Sequence, residues 1–188
     1  LVAVTLFNIL RVGWRLRGGG ILDTGPSSEK PQPVNRKQGR MDARTVIARE
    51  RLGTIRERIE RARQRFEPIG PGVELIAVSK TFDAAAVQPY LDAGQRVFGE
   101  NRVQEAREKW PPLRARYPDV RLHLIGPLQT NKARDAVALF DVIETLDREK
   151  LAGVLRAEMT RAKRELPVFV QVNIGGEAQK SGVAPDEA

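Results

Sequence analysis

Short apolar segments alternate with helical patterns along most of this chain, and this alternation constrains the fold more than any other feature. The distance from one apolar segment to the next is about 20–28 residues, and each gap holds apolar residues at helical spacings of three and four. Strands that alternate with helices in this way pair in parallel, because each helix returns the chain across the sheet. The strand-like segments are 73–79, 97–98, 120–125, 141–146 and 168–174.

Two architectures share this pattern, an open doubly wound sheet and a (β/α)8 barrel of the TIM type. In the last segment, Phe169, Gln171 and Asn173 fall on one face, and in the third segment Arg121 and His123 alternate with leucines. An open parallel sheet with helices on both sides should be apolar on both faces, whereas a barrel interior that reaches a ligand site can be polar. No G-x-G-x-x-G follows the first strand. The sequence therefore predicts the barrel.

The number of strands predicts an incomplete barrel. A closed barrel of this type needs eight strands and about 200–250 residues, and the pattern supplies five βα units. We expect residues 41–188 to form the N-terminal part of the domain, with about three C-terminal units missing.

Residues 1–40 differ from the rest in composition. They contain a Gly triplet (18–20) and a Pro- and Ser-containing stretch from Pro26 to Gly39, which are typical of linkers. We interpret 1–40 as a leader, disordered or placed upstream of a true start at Met41. An organelle-targeting peptide is the alternative, because the segment contains Arg and few acidic residues.

Composition and charge exclude several function classes. The chain has no Cys and one His, so we expect no metal site, and a reducing compartment such as the cytoplasm suits it.

The net charge of +8 is concentrated in the leader: residues 1–40 carry seven basic and two acidic residues, and the remaining 25 basic and 22 acidic residues give +3. We therefore predict no nucleic-acid binding. We predict no membrane span either, since the apolar stretch 1–10 is too short.

Lys80 is the candidate site residue with the clearest position. It follows the first strand and shares a side with Ile76 and Val78, so its amine would lie over the barrel mouth, where active sites of this fold assemble. A primary amine there can condense with an aldehyde. The alternative is a solvated lysine on the rim.

Four blocks of sequence carry a family resemblance: Ala77-Val-Ser-Lys80-Thr81, Phe98-Gly-Glu-Asn101, His123 to Lys132, and Val172-Asn-Ile174 followed by Lys180-Ser-Gly182. In order and spacing they resemble the pyridoxal phosphate (PLP) homeostasis family over residues 41–188. The resemblance implies a single-domain barrel like the N-terminal domain of bacterial alanine racemases. It also implies PLP held as a Schiff base on Lys80, a role in vitamin B6 balance, and no settled catalytic reaction.

Three further residues are candidate cofactor contacts. Asn101 and Asn173 end strands at the presumed mouth, where their carboxamides would bond the cofactor's O3′ or ring substituents; the alternative is that they cap turns. His123 would point into the barrel beside Gln171, as a cofactor contact or as a core histidine. The resemblance implies that loops after strands seven and eight hold the phosphate, and no residue of this chain is assigned to that role.

Two functions remain open. The first is a non-catalytic PLP carrier, with PLP-dependent apoenzymes as recipients and a monomer as the favoured state. The second is a PLP-dependent amino-acid racemase, which needs a second proton-transfer group opposite the lysine. Tyr90 and Tyr117 fall near helix ends, on the wrong side of the barrel. The sequence therefore favours the carrier, with no catalytic residue assigned.

Overall fold

The computed structural model of the protein describes residues 42–65, 73–177, 179–186 and 188. The leader predicted for residues 1–40 lies outside the described residues. Helices and strands alternate as the sequence predicts. In chain order they are α1 (Ala43–Arg65), β1 (Ala77–Val78), α2 (Ala84–Asp92), β2 (Val97–Glu100), α3 (Val103–Arg116), β3 (Arg121–Leu124), a 3-10 turn (Thr130–Lys132), α4 (Ala133–Leu139), β4 (Val142–Leu146), α5 (Glu149–Ala162) and β5 (Val168–Val170).

The strands form one parallel sheet in the order β1-β2-β3-β4-β5. Every neighbouring pair is parallel, and one helix connects each strand to the next, with the 3-10 turn before α4. Sequential order with helical crossovers is the arrangement of a (β/α) barrel, whereas a doubly wound sheet reverses its strand order. The five described strands leave β1 and β5 with one partner strand each. The predicted α/β class and the parallel sheet are therefore confirmed.

The core lies between this sheet and the helices, on the side that we call the helix side. Phe98 packs on Trp110 with ring centroids 5.0 Å apart and an interplanar angle of 51°. Both rings are at most 1% exposed, and burial of large aromatic side chains is among the strongest contributions to stability. Further fully buried members are Leu91, Leu122, Leu124, Phe140, Ile143 and Leu151.

The opposite face of the sheet, which we call the inner face, contains Ile76, Gly99 and Ile125. A Cβ added to Gly99 would lie 2.8 Å from Cδ1 of Ile125 and 3.1 Å from Cγ2 of Ile76. The two isoleucines therefore occupy the space that a side chain at this position would need. Because side chains alternate along a strand, Gly99 faces inward while Phe98 and Glu100 face the helices.

The edge strands are shorter than the sequence predicts. Regular pairing covers Ala77–Val78 in β1 and Val168–Val170 in β5, against predicted segments 73–79 and 168–174. Each edge strand has one neighbour among the described strands, so ladder hydrogen bonds form on one side only. Beyond β5 the chain turns back, and Val172 forms an isolated bridge with Val183.

Helix α1 buries less of its apolar face than its sequence indicates. Ala48 and Leu52 are fully buried, but Ile55 and Ile59 remain half-exposed. Within the described residues, α1 packs mainly on α2, which covers only the first half of that face. Among the described helices, none combines the length and the apolar composition that a membrane-spanning segment needs.

Candidate functional site

Lys80 occupies a tight turn directly after β1. The Phe82 amide donates to the Ser79 carbonyl (3.2 Å), so Lys80 and Thr81 are the two central residues. Thr81 has φ +66°, a left-handed conformation that is unusual for a β-branched residue. The Lys80 side chain is exposed, and its amine makes no hydrogen bond or ion pair within the part of the chain that the structure describes. Lys80 thus lies just past β1, as predicted, and its role in holding a cofactor stays a prediction.

The strand register places Lys80 and Asn101 at one level of the sheet's carboxyl edge. Val78 pairs with Gly99, and Gly99 pairs with His123. Lys80 and Asn101 each follow the Val78–Gly99 pair by two residues, so both lie at the carboxyl ends of neighbouring strands. The carboxyl edge of a barrel is where ligand sites form.

Asn101 is half-buried at the end of β2. A Cβ on Gly126 would lie 2.4 Å from the Asn101 carbonyl oxygen, so the loop after β3 rests directly on this residue. The Asn101 carboxamide makes no side-chain hydrogen bond to the other described residues. It therefore retains both donor and acceptor capacity for a ligand.

His123 is buried and contacts a carboxylate. Its Nδ1 lies 2.5 Å from Oε1 of Glu144, on β4. Its Nε2 is buried without a partner among the described residues, and a buried polar nitrogen without a partner is rare. Gln171, the neighbour expected from sequence, donates its amide to the Ser181 carbonyl (2.8 Å), and a cofactor contact by His123 stays a prediction.

Asn173 acts as a loop residue in this structure. Its Nδ2 donates to the Glu177 carbonyl (2.9 Å) and lies 3.4 Å from the Lys180 carbonyl. The carboxamide thus holds the turn after β5, which was the alternative interpretation from sequence. Its Oδ1 remains as an acceptor, and a cofactor contact by Asn173 stays a prediction.

Sequence reasoning missed a charged group behind the Lys80 turn. Lys109 on α3 donates through Nζ to the carbonyls of Ser79 and Phe82, both at 2.8 Å. The same Nζ lies 3.0 Å from Oε1 of Glu105 and 2.8 Å from Oε1 of Glu100. The sequence carries only a weak signal for it: Glu100 interrupts an apolar strand, and Glu105 and Lys109 have the i, i+4 spacing of an ordinary helical ion pair.

The inner face therefore offers three polar groups without protein partners in the described ranges. They are the Lys80 amine, the Asn101 carboxamide and Nε2 of His123. A primary amine at the same strand edge as hydrogen-bonding groups suits a polar ligand that carries an aldehyde.

Comparison with known proteins identifies the class. Residues 51–188 match the family model described as "Alanine racemase, N-terminal domain". The chain belongs to this family, and the barrel predicted from sequence is confirmed as a part of that fold.

The similar curated proteins are pyridoxal phosphate homeostasis proteins. That of Vibrio cholerae is 42% identical over 135 residues, which are 71% of this chain and 57% of the relative. That of Aquifex aeolicus is 35% identical over 137 residues, 73% of this chain and 59% of the relative. The chain thus spans somewhat less than 60% of the length of these relatives, and the resemblance to their family is confirmed.

Solved structures give the same result. PipY of Synechococcus elongatus, without PLP, superposes with a TM-score of 0.64 at 40% identity, covering 74% of this chain and 60% of PipY. PipY with PLP bound gives 0.61 at 37% identity, over 74% of this chain and 59% of PipY. A histidine racemase from Leuconostoc mesenteroides gives 0.53 at 16% identity, over 76% of this chain and 35% of the racemase, which supports the shared fold alone.

Proposed function

We propose that this chain belongs to a PLP-holding protein of vitamin B6 homeostasis, with Lys80 as the covalent attachment point. The observation that carries the proposal is the unpaired Lys80 amine at the carboxyl edge of the sheet. PLP supplies an aldehyde that condenses with a neutral primary amine, with loss of water, and a phosphate that adds noncovalent binding. The similar PipY structure with PLP bound supports the choice of ligand.

Asn101 and His123 would orient the ligand beside Lys80. The Asn101 carboxamide can donate and accept, and Nε2 of His123 can do one or the other according to the ring's tautomer. Glu144 contacts Nδ1 of His123, which fixes the ring plane and favours a proton on Nδ1. Oδ1 of Asn173 is a fourth contact in this proposal.

The proposed role is that of a carrier without its own reaction. A two-base racemase needs a proton-transfer group facing the lysine. The chain has two Tyr, and both pack against the helix-side core, on the opposite side of the sheet from Lys80. Tyr117 donates to Asp92; burial, and secondarily this hydrogen bond and the charge of Asp92, raise the pKa of Tyr117. Neither tyrosine therefore serves Lys80 as a base.

We place this carrier in the cytoplasm, with PLP-dependent apoenzymes as recipients. The Lys80 amine is exposed rather than enclosed, and an accessible covalent link is reversible by water or by a competing amine. Release to an apoenzyme needs such access. Transfer is tested by mixing the PLP-loaded protein with an apoenzyme and following the recovery of that enzyme's activity.

The attachment site is tested on the full-length gene product. PLP is added, the visible absorbance of the bound form is recorded, and borohydride reduction followed by peptide mapping locates the label. We expect the label on Lys80, with visible absorbance and labelling lost in Lys80→Ala. Lys150→Ala is the matched control, because Lys150 is an exposed lysine in the first turn of α5. A label on another lysine in the wild type, with Lys80→Ala binding normally, would contradict the proposal.

A further inference from the structure

The turn that carries Lys80 is fastened at both of its ends by one buried ammonium group. Lys109 Nζ donates to the Ser79 and Phe82 carbonyls, each at 2.8 Å. These carbonyls flank Lys80 and Thr81, so the ends of the turn cannot separate without breaking a charge-assisted bond. Lys109 comes from α3, on the helix side, while Lys80 belongs to the inner face.

Two carboxylates hold that ammonium group in place. The Lys109 side chain is 5% exposed, and it lies between Oε1 of Glu100 and Oε1 of Glu105. Glu100 is fully buried, and its Oε1 also accepts from the Ser79 hydroxyl (2.6 Å) and from Nε1 of Trp110 (3.0 Å). An ammonium group has three donors, which reach Ser79, Phe82 and Glu105, while Glu100 balances the charge.

Glu105 also acts on the turn directly. Its Oε1 accepts from the Thr81 amide at 2.7 Å. Thr81 has the positive φ that the third position of a type II turn requires, although that position favours glycine. A left-handed threonine persists only where its surroundings hold it, and the Glu105 carboxylate is the group that bonds its amide.

We propose that Glu105 and Lys109 are positioning residues that set the direction of the Lys80 side chain from behind the sheet. We call Glu100, Glu105 and Lys109 the clamp. The clamp touches the backbone on either side of Lys80 and not the amine itself, so it fixes where the side chain starts and leaves the amine exposed. This inference rests on the proposed function, because its consequence is tighter attachment of PLP to Lys80.

Pre-organisation explains the expected effect. A lysine whose backbone is already fixed loses less freedom when its amine is bound, so affinity falls when the turn is released. A buried ion pair is weak grounds for stability, since apolar side chains of similar volume often do as well. The members of this ion pair, however, bond three backbone groups of one turn, and apolar side chains could not do that.

The test uses Glu105, which is 29% exposed, so that the fold survives its replacement. Full-length protein is prepared as wild type, Glu105→Ala, Glu105→Gln and Glu108→Ala. Glu108 is an exposed neighbour on the same helix and controls for the lost charge. Exchange of the Thr81 amide is followed by NMR in the PLP-free protein, and PLP affinity is measured from the visible absorbance.

In Glu105→Ala we expect the Thr81 amide to exchange at least about tenfold faster and the Kd for PLP to rise about tenfold. Glu105→Gln keeps an acceptor oxygen, so both changes should shrink to about threefold or less. Glu108→Ala should match the wild type in both measurements.

Two outcomes would overturn the inference. Unchanged Thr81 exchange in Glu105→Ala would show that the carboxylate does not hold the turn. Faster exchange with unchanged PLP affinity would show that the clamp stabilises the turn without positioning Lys80. A wild type that takes no PLP on Lys80 removes the proposed function first, and this is seen in the wild-type sample alone, before any variant is compared.

Discussion

On the helix side of the sheet, Lys109 places its donors on two backbone carbonyls and a carboxylate, and Glu100 accepts from Ser79 and Trp110. On the inner face, His123 bonds Glu144 through Nδ1, and its Nε2 has no partner among the described residues. Both groups are buried and both join neighbouring elements. Lys109 directs its bonds to the protein's own backbone, whereas His123 keeps one ring nitrogen without a protein partner among the described residues.

The same strands contribute residues both to the packed helix side and to the inner face, where, among the described residues, polar groups remain free for a ligand. Alternation sends Phe98 and Glu100 towards the helices and Gly99 the other way, and Asn101 follows at the end of the strand. Glu100 Oε2 also lacks a partner in the described residues, but Lys109 balances the carboxylate charge at Oε1. We therefore expect loss of the buried Lys109 ammonium to affect stability first, and changes at the inner edge to affect ligand binding first.

The largest effect is expected from Lys109→Met. Methionine fills a similar volume but leaves Glu100 buried without a counter-charge and removes the bonds that Lys109 donates to the Ser79 and Phe82 carbonyls. Breaking one partner of a buried ion pair costs about 3–5 kcal/mol, which is a large part of a typical domain's stability. The free energy of unfolding, measured in urea, should fall by that amount. Lys150→Met, on the exposed face of α5, should change it by no more than about 0.5 kcal/mol.

A loss of unfolding free energy below about 1 kcal/mol in Lys109→Met would contradict the expected difference between the helix side and the inner face. It would mean that the helix-side charges are solvated or mutually dispensable. The helix-side group around Lys109 would then contribute no more to stability than an ordinary surface charge.

A smaller effect is expected from Gly126→Ala, which acts on the border between the two faces. The new Cβ would lie 2.4 Å from the Asn101 carbonyl oxygen and 2.6 Å from its Cα, so backbone must move. Overpacking of this kind costs about 1–3 kcal/mol, and the shift of Asn101 should also weaken PLP binding. Denaturant unfolding and PLP titration are measured on the same sample.

Gly153→Ala is the matched control for that change. An added Cβ at Gly153 meets nothing within 4 Å, and the residue lies inside α5. Alanine is preferred over glycine in a helix interior by about 0.5–1 kcal/mol. The control should therefore become more stable, with unchanged PLP affinity. If both substitutions shifted stability in the same direction, close packing at Gly126 would not be the cause.

Much of this arrangement could be predicted from sequence because it depends on local periodicity. The helix and strand order, the parallel pairing and the position of Lys80 at a strand end follow from spacings of two and of three to four. The hydrogen-bond partner of His123 could not be predicted from these spacings. Glu144 and Gln171 both lie in predicted strands, and sequence alone does not show how the chain turns after β5.

The clamp left only a weak signal in the sequence, for a different reason. Glu105 and Lys109 look like an ordinary i, i+4 pair on a solvated helix face. Their burial depends on how α3 is oriented against β1 and β2. The amide that Glu105 bonds belongs to Thr81, whose left-handed conformation could not be predicted because glycine is the residue that usually marks such a position. Contacts that depend on packing between elements leave a weak trace in a single sequence.

The smallest effect on stability is expected from Asn101→Ala, which is the sharpest test of the inner edge. Asn101 is half-buried, and its carboxamide makes no side-chain hydrogen bond to the described residues, so its loss leaves no protein group unsatisfied. The free energy of unfolding should change by at most about 0.5 kcal/mol. PLP affinity should fall by about three- to tenfold, the equivalent of one neutral hydrogen bond. A loss of stability without a loss of affinity would make Asn101 a turn residue and would remove it from the proposed ligand contacts.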